Sequence, residues 1–233
     1  FQLEQIAFEI RFSTENYYQQ VFKSFWKHIQ SQISSDSGRI RYEEPTVITY
    51  DNKFEIRVSS DTFAVMQFFP DSSLKELLKV SKIFYDAIIE ILGIEAITRV
   101  GLRPIYTKDY DDDISVAEIL YQTPYINYPD NLYLSQNSLP LIPALIIGWE
   151  DEERGITYRL KGKSGKLGID LPLELIASGK FQKTIEKVYN QVILDIDMYI
   201  HKPITPGQFI LDEWINQAYE TVKKEGSKFF GES

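Results

Sequence analysis

Short segments in which apolar and charged residues alternate are the clearest pattern in this sequence. The tetrapeptide Phe-Glu-Ile-Arg occurs twice, at residues 8–11 and 54–57, and both copies alternate with a period of two. That period is typical of a β-strand with one buried face and one wet face. The same alternation runs through residues 99–106, 156–161 and 193–199. The pattern therefore predicts antiparallel strands that share one charged face.

Helical spacing of apolar residues separates these strands in the first half of the chain. Apolar side chains recur every three or four positions over residues 18–33 and again over residues 74–92. Gly93 follows the second stripe directly, at a position where glycine commonly ends a helix. Asp51 and Asn52 predict a tight turn between two strands. The resulting order is β-α-β-β-α-β, with one additional strand over residues 40–50, and this order is the ferredoxin-like pattern.

The second half of the chain is richer in strand-like segments. Strands are predicted at residues 144–150, 156–161, 167–171 and 192–200, with a turn at 163–165. Helical pieces are predicted at residues 172–178 and 181–190, and a long helix within 209–230. This half is therefore expected to be a β-meander that ends in a long closing helix.

Together these patterns predict an α+β fold with a largely antiparallel sheet and helices on one face. We expect one α+β domain over residues 1–233, with a ferredoxin-like sub-half at 1–107 and a meander-plus-helix sub-half at 140–233. An irregular segment over residues 108–139, containing a short helix at 114–121, joins the two. An irregular stretch of this length inside a compact protein is usually functional or a linker.

Composition narrows the classes of partner. Of the 233 residues, 43% are hydrophobic, which supports a packed core, and the net charge is −9. An acidic surface makes nucleic acid an unfavoured partner. No apolar run reaches the ~18 residues that a membrane span needs, so no membrane partner is expected. The chain has no cysteine, which excludes disulfides and thiolate metal sites and favours a cytoplasmic location.

The charged face of the predicted sheet carries a row of arginines. The candidate ligand-binding residues are Arg11, Arg57, Arg99, Arg103 and Arg159. One interpretation is that they form cross-strand ion pairs on a solvated face. The other is that the sheet curves around a polar pocket, where guanidinium groups bind a carboxylate or a phosphate. The sequence leaves both open.

Two carboxylates on one strand are the candidate metal ligands. Asp195 and Asp197 are two residues apart, so their side chains project from the same face of the strand. Such a pair can hold Mg²⁺ or Mn²⁺, and the alternative is a solvated or salt-bridged pair. A second acidic cluster lies at residues 109–113, where a solvated loop is the simpler interpretation. The sequence leaves the cofactor unknown.

Tyrosines concentrate in the irregular middle segment. The candidate partner-binding residues are Tyr110, Tyr121, Tyr125, Tyr128 and Tyr133. Tyrosine is enriched at protein interfaces because its ring offers rigid, amphipathic contact area. The alternative is that these rings pack the segment back onto the sheet.

Four short strings resemble a family of sporadically distributed, uncharacterised prokaryotic proteins of similar length. They are Ala-Phe-Glu-Ile-Arg-Phe at 7–12, Ile-Thr-Arg-Val-Gly-Leu-Arg at 97–103, Leu-Asp-Ile-Asp-Met-Tyr at 194–199, and Leu-Asp-Glu at 211–213 before an amphipathic helix. Members of the family usually continue the second string with Tyr-Asn, whereas this chain has Pro104 and Ile105 there. The resemblance implies no activity and no catalytic residue. Its patchy distribution implies an accessory role, in host defence or in a toxin–antitoxin-like pair.

We therefore predict a non-enzymatic protein-interaction or regulatory protein that binds a protein partner or a second copy of itself. The alternative is a small-molecule-binding protein or a divalent-metal-dependent enzyme that uses the charged sheet face. No catalytic residue is assigned, since the two histidines, His28 and His201, stand far apart in the sequence and no nucleophile motif accompanies them.

Overall fold

The computed structural model describes residues 1–14, 18–32, 38–41, 45–70, 74–110, 116–121, 144–170 and 184–230. Nine strands lie in these ranges: β1 Gln2–Thr14, β2 Gly38–Arg41, β3 Thr46–Tyr50, β4 Phe54–Val58, β5 Thr62–Phe68, β6 Ile94–Tyr110, β7 Ala144–Glu150, β8 Arg154–Asp170 and β9 Thr184–Ile200. Four α-helices accompany them: α1 Tyr18–Gln32, α2 Lys75–Leu92, α3 Val116–Tyr121 and α4 Leu211–Phe230. A 3₁₀ turn at Pro206–Gln208 precedes α4.

The strands form one sheet in the order β2-β3-β4-β5-β1-β6-β9-β8-β7. The strands are antiparallel in four neighbouring pairs: β2–β3, β3–β4, β4–β5 and β5–β1. The predicted α+β class with an antiparallel sheet is therefore confirmed. None of the described helices is both long and apolar enough to cross a membrane.

Two compact units make up the chain. The larger unit contains residues 3–106, 148–158 and 195–233, and the smaller unit contains residues 1–2, 107–147 and 159–194. The sub-halves expected at 1–107 and 140–233 stay a prediction.

The apolar face of the larger unit's sheet packs against α1, α2 and α4. Phe8, Phe63 and Phe84 are fully buried there, and the rings of Phe63 and Phe84 stack with centroids 6.0 Å apart. The ring of Phe25 on α1 meets Phe84 on α2 at 6.5 Å. Because side chains alternate along each strand, burying this face turns the charged residues of the same strands to the other face. The predicted placement of helices on one face is seen in this unit.

Local signals identified helix α2 and one hairpin correctly. Buried residues of α2 fall on one stripe, and the helix ends at Gly93, whose φ of 61° is the left-handed conformation expected of a C-terminal glycine. The tight turn between β3 and β4 lies at Asp51 and Asn52, both with a φ of 50°. Two left-handed residues in succession suit the twist of a hairpin, and the Lys53 N–H closes the turn by donating to the Tyr50 carbonyl at 3.3 Å.

Two predictions in the second half are wrong. Residues 184–190, expected to be helical, begin β9, which runs from Thr184 to Ile200. The turn expected at 163–165 is absent, because β8 continues from Arg154 to Asp170 through those residues. The helical piece predicted at 172–178 lies outside the described residues.

The smaller unit contains α3, at the end of the segment predicted as a short helix. Gly162 of β8 lies against this helix, since a Cβ atom at that position would stand 2.5 Å from Cγ1 of Val116 and 3.1 Å from Cδ1 of Leu120. A glycine is therefore needed for α3 to approach the strand this closely.

Candidate ligand-binding groove

A polar groove of about 500 Å³ lies on the charged face of the larger unit. Strands β4, β5, β1 and β6, which are adjacent in the sheet, supply most of its lining. The arginines that line it are Arg11, Arg57, Arg99 and Arg103. The alternating pattern places Arg11, Arg57 and Arg103 there, because each stands between two buried residues. Arg99 precedes the buried Val100 but follows the exposed Thr98, so the strict alternation of β6 begins at Arg99. We call this surface the arginine groove.

Small side chains form the floor of the arginine groove. Ala64 on β5 lies opposite Arg57 on β4 and opposite Glu9 on β1. Ala7 and Gly101 also line the groove. A methyl group or a hydrogen between long charged side chains leaves space above the sheet, which accounts for the concave shape.

A chain of ion pairs crosses one side of the groove from β9 to β1. Arg99 donates from Nη2 to both carboxylate oxygens of Asp197, at 3.0 and 3.1 Å, and from Nη1 to Oε1 of Glu9 at 3.1 Å. The same Oε1 atom accepts a hydrogen bond from Nε of Arg11 at 3.0 Å. Arg99 and Asp197 keep only 18% and 14% of their side chains exposed. This chain of pairs is therefore largely shielded from water.

Two further arginines are each held by one carboxylate. Arg103 donates from Nε and Nη2 to the two oxygens of Asp195, at 2.8 and 2.6 Å, which is the bidentate geometry that suits guanidinium and carboxylate. This hydrogen bond is the main reason why the pKa of Arg103 is raised. Arg57 donates from Nε to Oε1 of Glu55 at 2.7 Å, along its own strand.

Gly101 and Tyr199 fix the position of the Arg99 guanidinium. A Cβ atom on Gly101 would stand 2.6 Å from Nη1 of Arg99, so the guanidinium lies across the glycine. The Tyr199 ring lies 4.7 Å from the Arg99 Cζ atom, which adds a cation–π contact. The Tyr199 hydroxyl donates to Oε2 of Glu150 at 2.7 Å, and this hydrogen bond raises the pKa of the tyrosine.

Three guanidinium groups remain open to solvent in the groove. The exposed side-chain fractions are 57% for Arg11, 52% for Arg57 and 47% for Arg103. Each is anchored by its carboxylate through one part of the guanidinium. Because a guanidinium carries five N–H donors, each retains donors that a bound anion can accept. The arrangement can therefore bind carboxylate or phosphate oxygens without first ordering the arginines.

The structure brings together four of the five predicted ligand-binding arginines. Arg11, Arg57, Arg99 and Arg103 share the groove. Arg159 is half-buried on β8 and belongs to the smaller unit, so it is not part of this site. The charged face holds cross-strand ion pairs and is also concave, and the binding of an anion there stays a prediction.

The predicted metal ligands lie beside the arginines. Asp195 and Asp197 do project from one face of β9, and both accept hydrogen bonds from guanidinium groups. In the described part of the chain, no group of three or more metal-ligating side chains comes together. The metal site stays a prediction, and the salt-bridged alternative describes the contacts seen.

Most of the predicted partner-binding tyrosines are beyond what the structure describes. Tyr125, Tyr128 and Tyr133 lie outside the described residues, and for Tyr121 only the backbone, at the end of α3, is described. Tyr110 is half-buried at the end of β6, and the Lys108 ammonium lies 5.3 Å from its ring centroid. Their role in binding a partner stays a prediction.

The sequence reasoning missed the two residues that position Arg99. Gly101 could have been noticed in the sequence, because it lies between Arg99 and Arg103 on the charged face of its strand. Every other residue on that face of the strand has a side chain. The role of Tyr199 could not be predicted from the sequence, since its contact with Arg99 arises only because β6 and β9 are neighbours in the sheet.

Fold and groove together define an α+β protein with a charged concavity on an antiparallel sheet. Comparison of the chain with protein-family models gave no match, and comparison with curated proteins gave none either. The family resemblance carried by the four short strings therefore stays a prediction.

Proposed function

We propose that this protein is a non-enzymatic interaction protein that binds an acidic segment of a protein partner in the arginine groove. The observation that carries the proposal is the set of three half-exposed guanidinium groups, Arg11, Arg57 and Arg103, around one concave surface. Arginine matches carboxylates by a planar fork of donors and is enriched at interfaces.

Pre-ordering of the arginines supports a binding role. A free arginine loses rotamer freedom when it binds, whereas Arg103 is already held by two hydrogen bonds to Asp195 and Arg11 by one to Glu9. Rigid side chains bind with a smaller loss of entropy. The carboxylates also balance the arginine charges, so binding depends on local fit as well as on charge.

A small anionic molecule is the second candidate, and the size of the groove favours it. Sites for small molecules commonly measure ~300–1,000 Å³, and the groove volume of about 500 Å³ falls in that range. The shared chemistry is a carboxylate or phosphate held by arginine. A regulatory role, such as the accessory defence or toxin–antitoxin-like role implied by the family resemblance, is compatible with either ligand.

For the N-terminal half we also propose a ferredoxin-like core with β2 and β3 as an insertion. The order β4-β5-β1-β6 supports this, since it places the first strand between the third and fourth strands of a β-α-β-β-α-β unit. In this view the arginine groove occupies the open face of that core, opposite its helices.

Calorimetric titration with two probes tests the proposed function. A synthetic glutamate-rich peptide and citrate are each titrated into the protein, into the triple variant Arg11→Gln, Arg57→Gln, Arg103→Gln, and into Arg154→Gln. Arg154 is a matched control, because it is exposed and ion-paired outside the groove. We expect the triple variant to lose about tenfold or more in affinity and the control to keep it.

The two probes separate the two candidates. Groove-dependent binding of the peptide supports a protein partner, and groove-dependent binding of citrate alone supports a small anion. Binding that also weakens with added salt is expected for charged contacts at the surface. Equal affinity of the parent protein and the triple variant for both probes would overturn the proposal.

A further inference from the structure

A second groove of about 730 Å³ lies in the larger unit and shares no lining residue with the arginine groove. Its walls are the turn between β7 and β8, the end of β9 with the residues that follow it, and the first three turns of α4. Its floor is apolar, whereas its rim is charged. We call it the α4 groove.

Half-buried apolar side chains form the floor of the α4 groove. Met198, Ile200 and Ile204 contribute from β9 and the segment after it, and Trp214 contributes from α4. The indole of Trp214 is fixed from behind by the rings of Phe8 and Phe209, at centroid distances of 6.3 and 6.2 Å. The floor is therefore a rigid apolar surface that stays partly open to solvent.

The rim is acidic because one of its carboxylates, that of Glu152, forms no ion pair within the described part of the chain. Asp151 is committed to its own turn, where its carboxylate accepts the backbone N–H groups of Glu153 and Arg154, and these bonds hold its pKa below the usual value. Lys202 pairs with Glu153. Glu152 is exposed and has no ion-pair partner among the described side chains. An incoming cation can therefore pair with Glu152 without breaking an existing contact.

We propose that the α4 groove binds a basic amphipathic segment of a partner protein. Apolar side chains of that segment pack on the Trp214 floor, and a lysine or arginine beside them pairs with Glu152. An apolar core with a charged rim is the usual anatomy of such a contact. The net charge of −9 also attracts a basic partner at a distance. The ligand of the α4 groove has the opposite charge to the ligand of the arginine groove. The proposal for the α4 groove does not depend on the function of the arginine groove.

The proposal predicts binding of a synthetic amphipathic peptide of leucine and lysine, measured by calorimetry and by the fluorescence of Trp214 in a Trp26→Phe, Trp149→Phe background. Peptides with glutamate in place of lysine, and with serine in place of leucine, are the ligand controls. We expect only the leucine–lysine peptide to bind. Binding of the glutamate peptide with the same affinity, or no binding of any peptide, would overturn the proposal.

Two substitutions of opposite direction locate the site. Glu152→Gln removes the unpaired carboxylate and is expected to weaken binding about two- to fivefold, whereas Gln217→Glu adds a carboxylate to the rim and is expected to strengthen binding by a similar factor. Glu90→Gln on α2 makes the same charge change outside the groove and should leave affinity unchanged. A gain in affinity cannot result from misfolding, so unchanged binding in Gln217→Glu contradicts this location.

Discussion

Replacing Phe8 by alanine is expected to lower the free energy of unfolding by about 3–5 kcal/mol. The Phe8 side chain is fully buried, and its ring meets Phe63 edge-on at 6.3 Å and Trp214 at 6.3 Å. Removing it leaves a cavity where the sheet meets α4, and rigid neighbouring rings limit collapse into that space. Urea unfolding followed by circular dichroism measures the loss.

Phe69 provides the matched control for Phe8. It is 70% exposed at the end of β5, with a φ of 48°, so its ring contributes little to the core. Phe69→Ala is expected to change the free energy of unfolding by less than about 0.5 kcal/mol. Equal losses in the two variants would show that the apolar face of β1 does not form the centre of the core. The slope of the urea curve should stay constant if both effects act on the folded state.

Alternation along the strands was sufficient to assign the two faces of the sheet. In β1, Ile6, Phe8 and Ile10 are fully buried, while the residues between them reach the other face. This property follows from the backbone alone, because successive side chains of any strand point to opposite sides. It explains why the sequence alone predicts that the four arginines of the groove share one face of the sheet.

Residues 184–190 show where local pattern fails. Their apolar positions, Ile185, Val188 and Tyr189, have helical spacing, yet the segment is the first part of β9. Propensity is a weak influence compared with the chance to complete a sheet beside a neighbouring strand. The turn expected at 163–165 failed similarly, because β8 continues through those residues and the glycine just before them, Gly162, allows the close approach of α3.

Pairing within the arginine groove could not be predicted from sequence. Arg99 pairs with Glu9 and with Asp197, which are separated from it by 90 and 98 positions. Both contacts arise because β6 lies between β1 and β9 in the sheet. Alternation assigns a residue to a face, but only the order of the strands decides which opposite charge it meets.

Replacing Arg99 by methionine is expected to lower the free energy of unfolding by about 2–3 kcal/mol, measured by urea denaturation. Methionine keeps an unbranched apolar stem, so the change isolates the guanidinium. Asp197, only 14% exposed, loses both hydrogen bonds from Arg99, and Glu9 loses one. Removing one partner of a shielded pair is unfavourable because the remaining charge stays poorly hydrated.

Two further variants show whether the position of the Arg99 guanidinium, and not merely its charge, stabilises the sheet. Arg57→Met removes a guanidinium that is 52% exposed and paired along its own strand, so its effect should stay within about 1 kcal/mol. Gly101→Ala keeps Arg99 but places a methyl group 2.6 Å from the present position of Nη1, so the guanidinium must shift, and we expect a loss between those of the other two variants. If Arg57→Met and Arg99→Met destabilise the protein equally, the ion pairs crossing from β9 to β1 are no stronger than a solvated surface pair.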